Sequence, residues 1–281
     1  MKINLRTDAP RHNLALMKLS AWHKRCGNEV YLNGVGKFDL TIGSWLFKNS
    51  EKHVCDIEGG AAIDPGIRLD MREDAPRDYS LFNLDYSLGY TWSYCPRKCL
   101  FCIVPKQNNP KEHHSIWSFH VSKFKKICLL NNNTFSDPQW RETFEEIWEA
   151  DLIVRDENGY DLRLIDEEKA QALKRTKWDH GPKFSWDRMK NEGHILRGFR
   201  EVNKAGLRGS TVYVLIGFDT TVEEDIYRCQ KIHDMGHNPF PMIYENEQPK
   251  PLQHKFRRMI YARYYKQSGN IEKAWREYDR R

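Results

Sequence analysis

Three cysteines within eight residues carry the sharpest chemistry in the sequence. Cys95, Cys99 and Cys102 lie in the segment Tyr94-Cys95-Pro96-Arg97-Lys98-Cys99-Leu100-Phe101-Cys102-Ile103-Val104-Pro105-Lys106, with the spacing C-x3-C-x2-C. Three thiolates in one short loop can ligate three irons of a cubane and leave the fourth iron without a protein ligand. An open iron suits a cluster that must bind a small molecule and pass it an electron. Two other readings of these residues stand beside this one. A structural zinc site closes with four ligands, and His113 or His114 would complete a Cys3His set. Alternatively, the three thiols pack without a metal, as buried free cysteines do, although they rarely cluster in this way. Cys26, Cys55, Cys128 and Cys229 lie singly, which is the layout neither of a disulfide framework nor of a second cluster.

The elements that must position this loop follow from hydrophobic periodicity and turn chemistry. Residues 2–6, 29–32, 38–42 and 54–57 read as strands, and residues 14–26 as a helix with Leu14, Met17, Ala21 and Trp22 on one face and Gly27 closing it. Asp64-Pro65-Gly66 and Ala75-Pro76-Arg77-Asp78 are turn or linker sequences. They set the expected limits: a small α/β unit over 1–78, a main domain over 79–251 and a basic, aromatic helical segment over 252–281. In the main domain, strands are expected at 86–92, 126–130, 161–165, 183–186, 211–216 and 240–244. Helical patterns run through 140–150, 166–175, 194–205 and 221–235, with Thr221 and Glu224 as a capping-box pair and Ala205-Gly206 and Met235-Gly236 as stops. Six strands with five intervening connections predict an α/β fold, a partial (β/α)6 TIM-type barrel. In barrels of this type the chemistry collects at the C-terminal ends of the strands, and the cysteine loop follows the first of them.

Composition bounds the class of protein. Of 281 residues, 40% are hydrophobic, and the 9 Trp, 13 Tyr and 13 Phe are spread along the whole chain, which predicts a folded protein. No apolar run approaches the ~18 residues of a membrane-spanning helix, so a cytoplasmic location without a membrane partner is expected. The net charge is +6; residues 252–281 hold nine Lys/Arg against three Asp/Glu, and the remainder is neutral on balance. Polyanion affinity is therefore expected at the C-terminus. There Phe256, Ile260, Tyr261, Tyr264, Tyr265 and Trp275 alternate with Arg257, Arg258, Arg263 and Lys266. Such a mixture can stack on bases and pair with phosphates. It suits better an amphipathic helix pair with its aromatics inward and its charges solvated.

The cysteine loop after the first barrel strand resembles the signature of the radical SAM superfamily, with Phe101 before the last cysteine as a typical feature. Cys102-Ile103-Val104-Pro105 is similar to the corresponding loop of methylthiotransferases and of related proteins that carry a cobalamin-binding-like N-terminal unit. The resemblance covers about residues 86–245. It implies a [4Fe–4S] cluster on Cys95, Cys99 and Cys102, and S-adenosylmethionine (SAM) as the second cofactor. It further implies an external electron donor such as flavodoxin or ferredoxin, and reductive cleavage of SAM to a 5′-deoxyadenosyl radical. Asn131, Asn132 and Asn133 stand where the family has a Gly-Gly-Glu-like element for the SAM amino group. Their carbonyls can accept from an ammonium, and a triple Asn is equally a turn. Asp161 and Arg163 at the third strand, with Ser185, Asp187 and Arg188 closing the fourth, occupy positions that hold the SAM ribose and carboxylate; surface ion pairs are the alternative. Gly217 matches the fifth-strand glycine against which adenine packs.

The N-terminal unit resembles a degenerate cobalamin-binding domain, but it lacks the D-x-H-x-x-G motif, so no cobalamin is inferred. RNA is the favoured substrate, and a peptide or small molecule is the alternative. Methylthiotransfer itself is opposed by the lack of an auxiliary-cluster motif. A reading of another class is a non-catalytic, zinc-dependent nucleic-acid-binding module built from the same loop and tail.

Overall fold

The computed structural model describes residues 1–66, 69, 75–244 and 249–279. The chain is α/β with parallel sheets and forms two compact units: Met1–Asn132 with Arg141–Arg155, and Asn133–Trp140 with Asp156–Arg281. The segment limits expected at 78/79 and 251/252 do not coincide with the limits of these units.

In the first unit, β1 (Lys2–Thr7), β2 (Glu29–Leu32), β3 (Leu40–Ser44) and β4 (Ile57–Gly59) form a parallel sheet in the order β2-β1-β3-β4. Alternation decides its faces: Ile3 and Leu5 pack with Ile42 against Leu16 of α1 (Leu14–Arg25). That helix starts where Asn13 Oδ1 accepts the Leu16 N–H at 3.2 Å, and it ends before Gly27, whose φ of +76° favours a residue without Cβ. Met17, one position on from Leu16, joins Tyr79, Tyr86, Leu88, Phe124 and Cys128 in a second core. One helix thus binds the N-terminal sheet to β5 (Ser87–Gly89) and β6 (Lys126–Leu129), which pair in parallel with Leu88 opposite Cys128. After α2 (Trp140–Glu149), β7 (Ile153–Asp156) lies beside β6. The sequence reading missed β7 because its apolar run is too short to carry a period.

The second unit holds β8 (Tyr160–Asp161), α3 (Glu167–Arg175), β9 (Lys177–Trp178), β10 (Phe184–Ser185), α4 (Glu192–Lys204), β11 (Thr211–Ile216), α5 (Val222–Asp234), β12 (Asn238–Ile243), α6 (Pro251–Tyr261) and α7 (Ile271–Asp279). Strands β8, β10, β11 and β12 form a parallel sheet in spatial order. Tyr160, Phe184, Val212, Val214 and Ile216 are buried, as are Ile195, Phe199 and Val202 of α4 and Ile226, Cys229 and Ile232 of α5. The strand expected at 161–165 stops at Asp161, because its carboxylate accepts the Arg163 N–H at 3.1 Å and turns the chain into a 3-10 turn over Leu162–Leu164. Gly198 lets α4 approach that turn: a Cβ there would lie 2.1 Å from the Leu162 carbonyl oxygen. The α5 capping box is present, with Thr221 N–H donating to Glu224 at 2.8 Å and Glu224 N–H to Thr221 Oγ1 at 3.2 Å. In the tail, Phe256, Met259, Ile260, Ile271 and Ala274 are buried, so α6 and α7 are amphipathic helices packed on their apolar faces.

Candidate functional site

The cysteine loop is held from the end of the neighbouring strand. Beyond β5 the chain runs through Thr91, Trp92 and Ser93, all buried. Asn131, just past β6, accepts the Thr91 and Trp92 N–H groups at 2.9 and 3.0 Å and donates to Thr91 Oγ1 at 2.8 Å. Asn132 donates to the Ser93 carbonyl at 2.5 Å, and the His114 N–H to the Thr91 carbonyl at 2.9 Å. The asparagines read as SAM acceptors therefore supply fixed backbone contacts for the segment leading into Cys95. Asn133 instead lies in the second unit, where its amide approaches Asp161 Oδ2 at 3.5 Å.

Cys95, Cys99 and Cys102 are half-buried and line one cleft of about 420 Å³. That volume falls in the range of small-ligand pockets. The Cys102 N–H donates to the Cys99 carbonyl at 3.0 Å, and Pro105 sits in a 3-10 turn over Val104–Lys106 that carries the chain out of the cleft. Phe101 is half-buried between the last two cysteines. Among the described residues no three His, Cys, Asp or Glu converge as a metal-binding group. The residue types suit a soft metal or an iron–sulfur cluster: three cysteines of one loop line a shared cleft, with no carboxylate in its lining. Neither His113 nor His114 joins the cysteines in such a group; His113 bridges Trp92 and stands 3.8 Å from Glu142.

The second unit gathers a charged cluster at the C-terminal ends of its strands. Arg163 grips Asp161 with two parallel hydrogen bonds, Nε to Oδ1 at 2.6 Å and Nη2 to Oδ2 at 2.9 Å. Ser185 stands in register between Asp161 and Tyr213. Burial pushes the Asp187 carboxyl up to about 6, although Arg228 and Arg163 pull it down and the Leu215 N–H hydrogen-bonds it. Arg188 is ion-paired with Asp219, so any ligand carboxylate must compete with that partner. Gly217 has a φ of +71°, and a Cβ on it would meet the Lys250 stem at 2.9 Å. Backbone conformation and packing thus account for this glycine in the structure.

Comparison with known proteins adds no assignment: no family model and no curated protein matches the chain.

Two features escaped the sequence reading. Arg228 is fully buried on α5, donating to the Trp186 and Leu215 carbonyls at 2.8 and 2.7 Å and to Asp225 at 2.5 Å. An Asp-x-x-Arg pair within the apolar stripe of a helix was its signal. The second is a sheet face. Asp161, Ser185, Tyr213 and Phe240 lie in one register row, followed by Leu215 opposite Met242. Phe240 and Met242 are 38% and 47% exposed, and alternation along β12 was the signal for them.

Proposed function

We propose that the chain is a radical SAM enzyme in which Cys95, Cys99 and Cys102 hold a [4Fe–4S] cluster and the parallel strands β5, β6, β8, β10, β11 and β12 belong to a partial (β/α)6 barrel. The observation that carries this reading is that all three cysteines of the C-x3-C-x2-C loop line a single cleft beyond the C-terminal end of a buried parallel strand. When bound, such a cluster supplies an electron to SAM, which divides into methionine and a 5′-deoxyadenosyl radical. The protein's own part is placement. Asn131 and Asn132 hold the approach to the loop, and the Asp161–Arg163 pair, Ser185, Asp187 and Arg188 offer polar groups for the ribose and carboxylate of SAM. An external donor such as flavodoxin or ferredoxin provides the electron. RNA is the favoured substrate class, supported by the basic charge of the tail, whose Phe256, Ile260 and Tyr265 are buried.

Anaerobic reconstitution tests the reading. Close to four irons and four sulfides per chain are expected, as a cubane requires. Replacing Cys95, Cys99 or Cys102 by Ala abolishes the visible absorption, while Cys26, Cys55, Cys128 and Cys229 are dispensable for it. Formation of 5′-deoxyadenosine from SAM and a reductant then identifies the reaction class. A triad variant that keeps its full cluster overturns the assignment, and a colourless, zinc-loaded protein favours a binding module.

A further inference from the structure

We propose that the rim of the cysteine cleft grips the substrate RNA itself, with Lys98 and Lys106 on a phosphate, Arg97 reinforcing them and Tyr94 offering its ring to an unpaired base. This deepens the RNA reading above and rests on it. Every charged residue lining the cleft is a cation, namely Arg97, Lys98 and Lys106, and its other polar side chains include the amides of Gln107, Asn108 and Asn109. Lys98 and Lys106 are exposed, so their charge acts on something arriving from solution. A fourth cation, Lys111, stands 4.8 Å over the Tyr94 ring. The surrounding sequence continues the asymmetry. Between Tyr94 and Lys126 there are seven Lys/Arg and one Glu, an excess as large as that of the tail.

Charge alone would also suit an acidic protein, and the ring and amides beside the cations separate the two. An aromatic ring beside cations and amides is the set that holds an unpaired nucleotide: the base stacks, the phosphate meets ammonium groups, and amides reach base edges. A duplex keeps its bases stacked inside and cannot use the ring.

The test is a fluorescence titration of the full chain with labelled single-stranded RNA, repeated over a range of salt concentrations. Lys98→Gln/Lys106→Gln is compared with Lys37→Gln/Lys204→Gln, which removes two exposed charges elsewhere. Losing both contacts to that phosphate should weaken affinity about tenfold and make the log–log salt slope shallower by about 0.7, while the control variant tracks wild type. Equal loss in both variants, unchanged binding in the cleft variant, or a preference for duplex RNA overturns the proposal. So does a cleft variant whose sole defect is slower reduction by an acidic electron-transfer protein. Iron content measured on the same samples keeps the readings apart. Absence of iron in wild type fails the cluster assignment, while the titration still decides what the cleft binds.

Discussion

At Asp187, burial and neighbouring cations pull the same carboxyl in opposite directions. Burial is the larger effect, and it lifts the group from 3.8 to about 6. A raised acid holds its proton in the folded state after the unfolded chain has lost it, so stability falls as pH rises between about 4 and 6. Asp187→Asn keeps an acceptor for the Leu215 N–H and cannot ionise. The variant should therefore melt above wild type at pH above about 7 and converge with it near about pH 4, read from melting temperatures across that range. A difference that does not vary with pH would remove the ionisation from the account. Asp187 entered the sequence reading through the resemblance, from its place after a strand. Its raised pKa was not legible there, because burial and the groups that oppose it, Arg228 of α5 and the Leu215 N–H of β11, are brought to it from positions distant in sequence.

At the scale of elements, one buried arginine ties α5 to the ends of two strands. Arg228 bonds the carbonyl of Trp186, which follows β10, and that of Leu215 in β11. Asp225, its ion-pair partner on the same helix, also accepts from Thr220 at 2.6 Å. Arg228→Met strands a buried carboxylate and leaves the two carbonyls without this donor, which should cost about 3–5 kcal/mol in urea unfolding. Replacing both members, Arg228→Met with Asp225→Leu, should cost clearly less than the sum of the single changes, since neither charge is then left alone. Additive losses would show that the two groups act independently. The capping box that opens this helix was readable from Thr221 and Glu224, because its geometry is set within four residues. The clamp was not readable, since its acceptors come from other strands.

At the scale of the whole molecule, the neutrality expected outside the tail is an average. The segment around the cysteines is as strongly basic as the C-terminus, so the remaining residues are acidic on balance. Two cationic regions can then contribute to polyanion binding. In the tail, the Arg257 guanidinium lies 6.0 Å from the Tyr261 ring centroid, and Arg263 is exposed at a φ of +55°. Arg257→Glu with Arg263→Glu should leave thermal stability within about 0.5 kcal/mol, as substitutions outside the packed face do. It should also weaken RNA binding and its dependence on salt. Wild-type levels of binding in this variant would make α6 and α7 a structural cap alone. Among the described residues, no helix is long and apolar enough to cross a membrane.

The sequence by itself determined most elements of the chain and the three cysteines. Strand alternation, helix caps and the C-x3-C-x2-C spacing are all local, and each is written within a few turns of chain. It located β2 and β11 to the residue, because their apolar patterns are bounded by turn residues on both sides. Tertiary structure alone decided what those elements do for one another. It made Asn131 and Asn132 the support of the cysteine loop, paired Arg188 with Asp219, and packed the space beside Gly217 with Lys250. It also carried the compact first unit past the turn at Asp78, because α1 presents Leu16 to one core and Met17 to another. Hydrogen bonds, burial and charge act through space, and their partners here lie tens of residues apart, where no local pattern records them.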